Sequence, residues 1–553
     1  MTDSHLTNNI APRAVYPDWF VFDDHHYDTI AGHLRTAKQI QTKSGDQLVA
    51  VPRDLDSART LAALGYDAPS PMEETYDWPG RFIPFQHQIV TSGFLTLHHR
   101  AFVLNGLGSG KSASALWAWD YLRREGRAGR LLILCPLSCV DAVWSRECFN
   151  ILPGSVVNKM TGSKKKRLAA LANESADILV MNHDGLRTVW KELSQDTTIT
   201  HIICDEATAY KNYRADVTKA LRGMLHDRSI WMMTGTPMAQ SPEDAWSLGR
   251  IVCPHIMPSS YGTYRDMVCT SKQIHMGPKT VTKYTPKPPE EVTDLVFSLL
   301  QPAVRFAKED CIDLPPVQYL DYHAPLSNDQ QQAVDALAKQ WIFEDQQSGA
   351  AIVAQTAAAR MSKVHQTYQG TAIGDQGTVN FDFAPRFDVL CELIEGSVGK
   401  VLVFATYTGV LDRLQSELSA AYGEGEVVRI DGSTSETKRG EIVAAFQSAS
   451  GPRILAAHPK TASHGLTLTA ASTTIWFGVY FSAEGYEQAN NRMDRPGQVN
   501  HMLIAHIYGT PAELKAYHAV RDKQRLQNLL LDLYSEETTR VASIKTRRKS
   551  ANA

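Results

Sequence analysis

The sequence predicts an α/β fold with two doubly wound parallel-sheet lobes in tandem. At 553 residues the chain is too long for one hydrophobic core. Apolar runs alternate with helical patterns in two series, which is typical of parallel sheets covered by helices on both faces. The predicted strands are 101–105, 130–135, 177–181, 199–204 and 229–233 in the first series, and 400–404, 427–430, 453–456, 474–477 and 502–505 in the second.

Composition excludes several classes of protein. The chain is 43% hydrophobic and 21% charged, as ordinary globular proteins are, and its net charge of −3 restricts any nucleic-acid surface to a local groove. We expect no membrane span and no secretory signal. The eight cysteines are scattered, which argues against a disulfide framework or a zinc site and favours a reducing cytoplasm.

Breaks in the pattern predict the domain boundaries. Proline-rich stretches mark the ends of an accessory region before the first lobe and of a linker or insertion after it. No wedge hairpin is identifiable within 241–315. The predicted divisions are an N-terminal α+β region (1–80), the first lobe (81–256), a linker or insertion (257–315), the second lobe (316–535) with a helical insertion (327–370), and a basic tail (536–553).

A glycine loop follows the first predicted strand and precedes a predicted helix at 113–124. Glycines let backbone amides turn toward phosphate oxygens, and the helix N-terminus adds the positive end of its dipole. Lys111 is expected to reach the β- and γ-phosphates, and the Ser112 hydroxyl to bind Mg²⁺. Asn105 stands where the general form of this loop has glycine. The predicted nucleotide-binding residues are Gly106, Gly108, Ser109, Gly110, Lys111 and Ser112.

An acidic pair follows the predicted strand 199–204. Asp205 is expected to hold Mg²⁺, and Glu206 to orient and deprotonate the attacking water. Two acids also favour a helix N-terminus without any catalytic role. The upstream glycine loop favours the catalytic interpretation.

Two weaker motifs accompany these. Thr234 and Thr236 follow the strand 229–233, and their hydroxyls are expected to hydrogen-bond the acidic pair. Gln86 lies one short helix before the glycine loop, and its amide offers a donor and an acceptor to an adenine edge. From the residues alone, adenine binding and a capped helix start remain equally open for Gln86.

The second series contains a pair of arginines on a predicted helix at 488–498. Arg492 and Arg495 are three residues apart and are therefore expected to share one helix face. Guanidinium groups directed at a γ-phosphate stabilise transition-state charge. Two solvated surface arginines are the alternative.

With these motifs in this order, residues 81–533 resemble the Swi/Snf-like branch of superfamily-two helicases, which are DNA-dependent ATPases. Thr467 replaces the usual Asn of the fifth motif. The residues at 76–80 and 476–478 are most similar to those of bacteriophage-encoded members. The matching motifs are Pro84-Phe85-Gln86, Leu134-Cys135-Pro136-Leu137-Ser138 with Trp144, Val180-Met181-Asn182-His183, Asp205-Glu206-Ala207-Thr208, Thr234-Gly235-Thr236-Pro237, Leu314-Pro315-Pro316, Val401 to Phe404, Ser463 to Thr469, and Gln488 to Gln498.

The resemblance implies two RecA-like lobes that bind ATP and Mg²⁺ between them. It implies a monomeric motor in the cytoplasm of a host cell, with double-stranded DNA as its partner. The implied catalytic residues are Lys111, Asp205, Glu206, Arg492 and Arg495, and those implied in coupling or nucleic-acid contact are Pro136, Asn182, Thr234, Thr236, Gly465 and Gln488.

The expected function is ATP-dependent translocation along DNA, mostly double-stranded. Two alternatives stay open. One is a helicase that separates strands of RNA or forked DNA, and the other is a nucleotide-gated clamp that binds nucleic acid with little turnover.

Overall fold

The computed structural model describes residues 10–521 except 17, 107, 138, 236, 239–240, 277–278, 307–316, 346–349, 463–465, 496–497 and 499. The chain divides into two compact units, Met1–Cys311 and Ile312–Ala553. In the described residues no helix combines the length and apolar character needed to cross a membrane.

The N-terminal region is a small antiparallel sheet with short helices. Four described strands pair in the order β1-β2-β4-β3. Phe20, Phe22, Val49 and Val51 lie on one face and form a core with Leu61 of the following helix. The elements are β1 (Ala14–Val15), β2 (Trp19–Asp23), α1 (Tyr27–Ala31), β3 (Lys38–Gln41), β4 (Gln47–Pro52), α2 (Leu55–Ala63) and α3 (Met72–Thr75).

The predicted first series of strands is present. Each strand is followed by a helix or helical turn that returns the chain to the opposite edge of the sheet. The elements are α4 (Gln86–Leu97), β5 (Arg100–Val103), α5 (Lys111–Arg124), β6 (Arg130–Cys135), α6 (Arg146–Ile151), β7 (Val157–Lys159), α7 (Lys164–Leu171), β8 (Ile178–Asn182), α8 (Leu186–Gln195), β9 (Ile199–Asp205), α9 (Asp216–Gly223), β10 (Ser229–Met233) and α10 (Asp244–Val252).

The segment after α10, expected as a linker or insertion, contains regular structure that belongs to the first unit. It includes a long β-hairpin, which the sequence patterns of 241–315 did not identify. Its last strand adds an edge to the main sheet beside β5. The elements are α11 (Tyr261–Val268), β11 (Cys269–Met276), β12 (Lys279–Pro286), α12 (Pro289–Leu299) and β13 (Ala303–Val304).

The second unit repeats the alternation of strands and helices. Two small hairpins lie between its first strand and the rest of this series. The insertion predicted as helical at 327–370 is only partly helical, because a hairpin of two short strands separates its two helices. The elements are β14 (Val317–His323), α13 (Asn328–Gln340), β15 (Ile342–Glu344), β16 (Ala351–Val353), α14 (Ala357–Tyr368), β17 (Thr371–Gly374), β18 (Gly377–Asn380), α15 (Ala384–Glu395), β19 (Lys400–Phe404), α16 (Thr408–Tyr422), β20 (Val427–Ile430), α17 (Glu436–Gln447), β21 (Ile454–Ala457), α18 (Pro459–Ala462), β22 (Ala471–Trp476), α19 (Ala483–Asn490), β23 (Met502–Tyr508) and α20 (Pro511–Arg521).

Two parallel sheets organise the described residues, as predicted. The first has seven strands in the order β13-β5-β10-β9-β6-β8-β7, and the second has six in the order β14-β23-β22-β19-β21-β20. Every pairing in both sheets is parallel. The carboxyl ends of all strands in a sheet therefore meet at one edge, where ligands bind in such folds.

A buried ion pair joins helices of the second unit. The Arg386 guanidinium lies 2.6 Å from Oε2 of Glu513, and the two side chains are 3% and 0% exposed. Arg386 also donates to the carbonyl of Phe477, and Glu513 accepts from the amide of Gly509. These bonds fasten α15 and α20 to the ends of β22 and β23.

We predict that Glu513→Gln lowers the free energy of unfolding of the second unit by about 3 kcal/mol, because it leaves the Arg386 charge buried without its counter-ion. Chemical denaturation of the full chain measures this loss. The control is Asp77→Asn, which breaks an ion pair to Arg124 whose side chains are 45% and 73% exposed and is expected to cost under about 1 kcal/mol. Equal losses would contradict the prediction.

Candidate active site

The first sheet brings the glycine loop and the acidic pair to the same edge. Met233, at the end of β10, pairs with Val103 on one side and with Asp205 on the other. Strands in a sheet are about 4.8 Å apart, so the backbones of Val103 and Asp205 are separated by roughly 10 Å. This spacing leaves room for a phosphate group and a metal ion between the two motifs.

The glycine loop lies between β5 and α5, in the order that the sequence predicts. Gly108 and Gly110 have φ values of 81° and 76°, a region that favours glycine. The loop ends at α5, a 14-residue helix whose first residue is Lys111 and whose second is Ser112. Nζ of Lys111 donates to the carbonyls of Asn105 and Gly106 at 2.9 and 3.0 Å. The lysine is thus held across the mouth of the loop.

The side chain of Asn105 explains why glycine is absent at this position. It is 1% exposed. Its Nδ2 donates to Oγ1 of Thr91 on α4, 3.0 Å away, and its Oδ1 accepts from the amide of Phe306, also at 3.0 Å. The amide of Gly106 donates to the carbonyl of Phe306. Asn105 therefore joins the loop to α4 and to the segment after β13.

Two neighbours of Gln86 also contact the loop. His87 and Gln88 are buried, and each makes a hydrogen bond to the carbonyl of Ser109, at 2.8 and 3.3 Å. Oε1 of Gln88 accepts from the amide of Phe85, which fixes the start of α4. A Cβ on Gly110 would lie 2.0 Å from Nε2 of Gln88, so a larger residue there would displace the Gln88 amide in addition to being strained at this φ.

Gln86 itself is exposed at the first position of α4. Its contact with adenine remains a prediction. The burial of Gln88 and its bond to Ser109 were not predicted, although Gln at the third position of a helix is a recognisable capping signal. The helix-start interpretation is thus realised by Gln88, and Gln86 remains accessible to a ligand.

Glu206 of the acidic pair has a strained backbone, and Asp205 accepts a hydrogen bond from a buried tryptophan. Glu206 has φ 51° and ψ 59°, a left-handed conformation that a non-glycine residue adopts only when its surroundings enforce it. Oδ2 of Asp205 accepts from Nε1 of Trp144 at 2.9 Å, and its Oδ1 accepts from the amide of Glu206 at 3.1 Å. Trp144 is completely buried and lies on a π-helical turn, Val140–Ser145.

Ser112 and Asp205 fit the predicted magnesium site. Mg²⁺ is usually held by one or two protein oxygens, with water and substrate phosphates as its other ligands. Both side chains supply oxygen, and both are half-buried near the edge of the sheet. The two hydrogen bonds to Asp205 fix the orientation of its carboxylate, as hydrogen bonds to a metal-binding carboxylate commonly do.

Cys135 lies at the end of β6, close to Asp205. Burial, reinforced by the negative charge of Asp205, raises the pKa of its thiol well above the ordinary range. A neutral, buried thiol is neither a nucleophile nor a metal ligand. Cys135 is therefore a packing residue.

The remaining predicted contacts of the first unit lie at the ends of the same strands. Pro136 follows β6, and Asn182 ends β8, where its Oδ1 accepts from Arg167 at 3.1 Å. Thr234 follows β10, is 1% exposed and donates its backbone amide to Val103 at 3.1 Å. Thr236 and Gly465 lie outside the described residues. The roles of these residues in coupling and nucleic-acid contact stay predictions.

The arginines of the second unit do not lie on a helix, contrary to the prediction for 488–498. α19 ends at Asn490, and the chain continues in turns, so helical spacing does not place Arg492 and Arg495 on a shared face. Arg492 is 5% exposed, and its Nε donates to the carbonyl of Gln488 at 3.1 Å. Arg495 donates to Oγ1 of Thr467 at 3.0 Å.

Thr467, which departs from the family pattern, contacts one of the two arginines. Its hydroxyl accepts from the guanidinium of Arg495 and joins the fifth motif to the sixth. Gln488, predicted to contact nucleic acid, is 4% exposed, and its amide donates to Glu484 on the same helix at 3.4 Å. Its predicted role is not tested by this geometry.

We predict that Asn105→Gly, which restores the general form of the loop, lowers both the stability of the protein and its affinity for nucleotide. The buried Thr91 hydroxyl and the Phe306 amide would lose their partner, at a cost of about 1–3 kcal/mol in the free energy of unfolding, and nucleotide affinity would fall. Denaturation and calorimetric titration with nucleotide measure the two effects. Asn105→Ala removes the same two hydrogen bonds without adding the backbone freedom of glycine, and it should lose less. Unchanged stability and affinity in the glycine variant would contradict the role given to Asn105.

Family comparisons agree with these motifs. Residues 32–368 match the model of the SNF2-related domain, and residues 385–497 match that of the helicase conserved C-terminal domain. The first match covers more than half of the chain and includes both the glycine loop and the acidic pair. The second includes Arg492 and Arg495.

Individual relatives are distant. Putative protein p41 of Acyrthosiphon pisum secondary endosymbiont phage 1 is 25% identical over 83% of this chain and 98% of its own length. An uncharacterized ATP-dependent helicase of Mycoplasma genitalium is 25% identical over 72% of this chain. A Xenopus laevis SWI/SNF-related, matrix-associated, actin-dependent regulator of chromatin, subfamily A-like protein 1, is 23% identical over 77% of it.

The chain spans nearly all of the phage protein but only 37% of the Mycoplasma protein and 42% of the Xenopus protein. The resemblance predicted from the motifs is confirmed by the family matches. The chain belongs to the SNF2-related family of helicase-like ATPases.

Proposed function

We propose that this ATPase couples ATP hydrolysis to movement along double-stranded DNA. One observation carries the catalytic part of the proposal. The register of β5, β10 and β9 puts the glycine loop and Asp205 at one edge of the sheet, with Met233 between them. That is the placement which phosphoryl transfer to water requires, with phosphate-binding and water-activating groups on opposite sides of the reacting atom.

Each residue of the site has one role in this proposal. The loop amides and Lys111 bind the β- and γ-phosphates, and Glu206 orients and deprotonates the attacking water. The strained backbone of Glu206 supports this role, because such strain concentrates at positions that function requires. Ser112 and Asp205 would hold Mg²⁺, which, when bound, neutralises negative charge on the phosphates.

The arginines are assigned through the resemblance of their motif. Arg492 and Arg495 would stabilise charge that develops on the γ-phosphate during hydrolysis. Their contacts show that the two side chains are not equally accessible. Arg492 is buried against Gln488, whereas Arg495 is only half-buried and contacts Thr467 through one terminal nitrogen. Arg495 is the better placed of the two to reach a ligand.

Double-stranded DNA is proposed from the family. The Xenopus relative is named as a regulator of chromatin, which supports a DNA substrate. Because the net charge of the chain is −3, contacts with the phosphate backbone would be made by local basic groups. Such contacts give binding that is sensitive to salt and tolerant of sequence.

The first experiment measures ATP turnover at one stated salt concentration without nucleic acid and with single-stranded, double-stranded or forked DNA or RNA. We expect strong stimulation by duplex DNA. Stimulation by single strands or RNA alone would favour the strand-separating helicase. Negligible turnover under every condition would favour the nucleotide-gated clamp.

We predict that Glu206→Gln reduces the duplex-stimulated turnover by about 10²–10⁴-fold, because the amide cannot accept a proton from water. ATP binding, measured by calorimetry, should be retained. The matched control is Glu192→Gln, an equal change on α8 at a residue that pairs with Lys164. Turnover equal to that of the control would show that Glu206 is not the general base.

Trp144 gives a second prediction, since its indole orients the carboxylate of Asp205 through a hydrogen bond. Trp144→Phe removes the indole donor, and a hydrogen bond to a charged group contributes about 1.5–3 kcal/mol. We expect the Mg²⁺ concentration for half-maximal turnover to rise by about 10-fold or more.

Trp119→Phe is the control for this variant. Trp119 is equally buried, and its indole donates at 3.0 Å to the carbonyl of Gly129, an uncharged group. The two variants lose the same volume and the same kind of donor, so a structural effect alone would appear in both. An equal Mg²⁺ dependence in the two variants would contradict the positioning role of Trp144.

A further inference from the structure

The hairpin formed by β11 and β12 is the most exposed regular element of the first unit's last segment. Its eight-residue strands pair without a break from Cys269↔Pro286 to Met276↔Lys279. Residues 270–274 and 281–283 are all exposed, on both faces of the ribbon. A two-stranded ribbon without a packed face is marginally stable by itself. Its formation therefore depends on how its base is attached.

The base of the hairpin is fixed to the core of the first unit. Val268 and Cys269 are 0% and 4% exposed and belong to the main hydrophobic cluster. The amide of Lys287 donates to the carbonyl of Val268 at 2.9 Å. The guanidinium of Arg265 lies 3.4 Å from the ring centre of Tyr284. These contacts hold an arm about 25 Å long by one end.

The formal charges of the arm are all positive, although the chain is slightly acidic overall. No aspartate or glutamate lies between Asp266 and Glu290, and the interval contains four lysines, Lys272, Lys279, Lys283 and Lys287. Lys272 is directly opposite Lys283 in the register. Like charges at such positions destabilise a pair of strands. Within the described residues no ion pair involves either of these two lysines.

The paired lysines share a face with an apolar pair. Ile274 is opposite Val281, two positions further along each strand, and the two side chains are 38% and 51% exposed. The ribbon thus presents two adjacent cations and two apolar groups on one surface. The major groove of DNA is about 12 Å wide and admits a two-stranded ribbon, and lysines beside it can reach the flanking phosphates.

We propose that the hairpin 269–286 is an arm that binds double-stranded DNA, with Lys272 and Lys283 contacting its backbone phosphates. This proposal rests on the proposed function, since it gives the DNA partner of the same ATPase. The alternative is that the lysines do not bind DNA and only prevent edge-to-edge association of exposed strands. Such a role needs positive charge at the edges but predicts no effect on DNA affinity.

The test is equilibrium binding of the full chain to a labelled blunt duplex, without nucleotide, over a series of salt concentrations. The variant is Lys272→Gln with Lys283→Gln. We expect affinity to fall by about 10-fold near 0.1 M salt, and the slope of log K against log salt to fall by about 1.8, as the loss of two phosphate contacts requires. Turnover at saturating DNA should match that of the unchanged protein.

The control variant is Lys191→Gln with Lys219→Gln, which removes the same charge from exposed positions on α8 and α9 of the same unit. Affinity and slope equal to those of this control would overturn the proposal. A loss confined to single-stranded or forked DNA would also overturn it, in favour of a strand-separating wedge. Failure of the proposed function is distinguishable, because it would appear as DNA-independent turnover in the unchanged protein.

Discussion

The geometry of the candidate active site depends on the amide side chain of Asn105. This side chain makes hydrogen bonds to Thr91 on α4 and to the backbone amide of Phe306, and the backbone carbonyl of Asn105 accepts a hydrogen bond from Lys111. A glycine would leave the loop free to choose among conformations, and ordering it would cost about 1–2 kcal/mol per residue. Asn105 reduces that freedom before a ligand arrives. It also makes the loop depend on α4 and on the segment after β13, two elements outside the strand-loop-helix unit.

The remaining contacts of the loop repeat this arrangement. His87 and Gln88 approach the carbonyl of Ser109 from α4, and the absence of a Cβ on Gly110 leaves space for the Gln88 amide. A carbonyl that accepts two hydrogen bonds is directed away from the space that phosphate oxygens would occupy, which leaves the loop amides to bind the anion. The start of α4 is therefore a structural support of the phosphate site, whatever role Gln86 has toward adenine.

Sequence patterns predicted the features that arise from local causes. Buried parallel strands are continuous apolar runs, and the loop and the acidic pair follow such runs directly, so the strands, the loop and the edge that joins them to Asp205 were predictable. Features that depend on distant residues were not. β13 is too short to give a pattern and is defined by its pairing with β5. The hairpin 269–286 lies between prolines and lacks a buried face, so neither hydrophobic alternation nor a recognised turn identified it. The turn that carries Arg492 and Arg495 was taken for helix although Asn490 and Asn491 are weak helix formers and Pro496-Gly497 is a turn signal within the predicted range.

Trp144 connects two motifs that are separate in the sequence. By resemblance it belongs with the motif that contains Pro136, which is predicted to contact nucleic acid, and its indole donates to the carboxylate proposed to hold Mg²⁺. A displacement of this turn by a nucleic acid would change the hydrogen bonding of Asp205, and a change at Asp205 would act on the turn with the same coupling free energy, because linkage is reciprocal. A single hydrogen bond to a charged group contributes about 1.5–3 kcal/mol, which corresponds to roughly 10- to 100-fold in an equilibrium. This one contact is therefore sufficient in magnitude to make ATP turnover respond to DNA, and the π-helical turn that bears Trp144 is the element through which it would act.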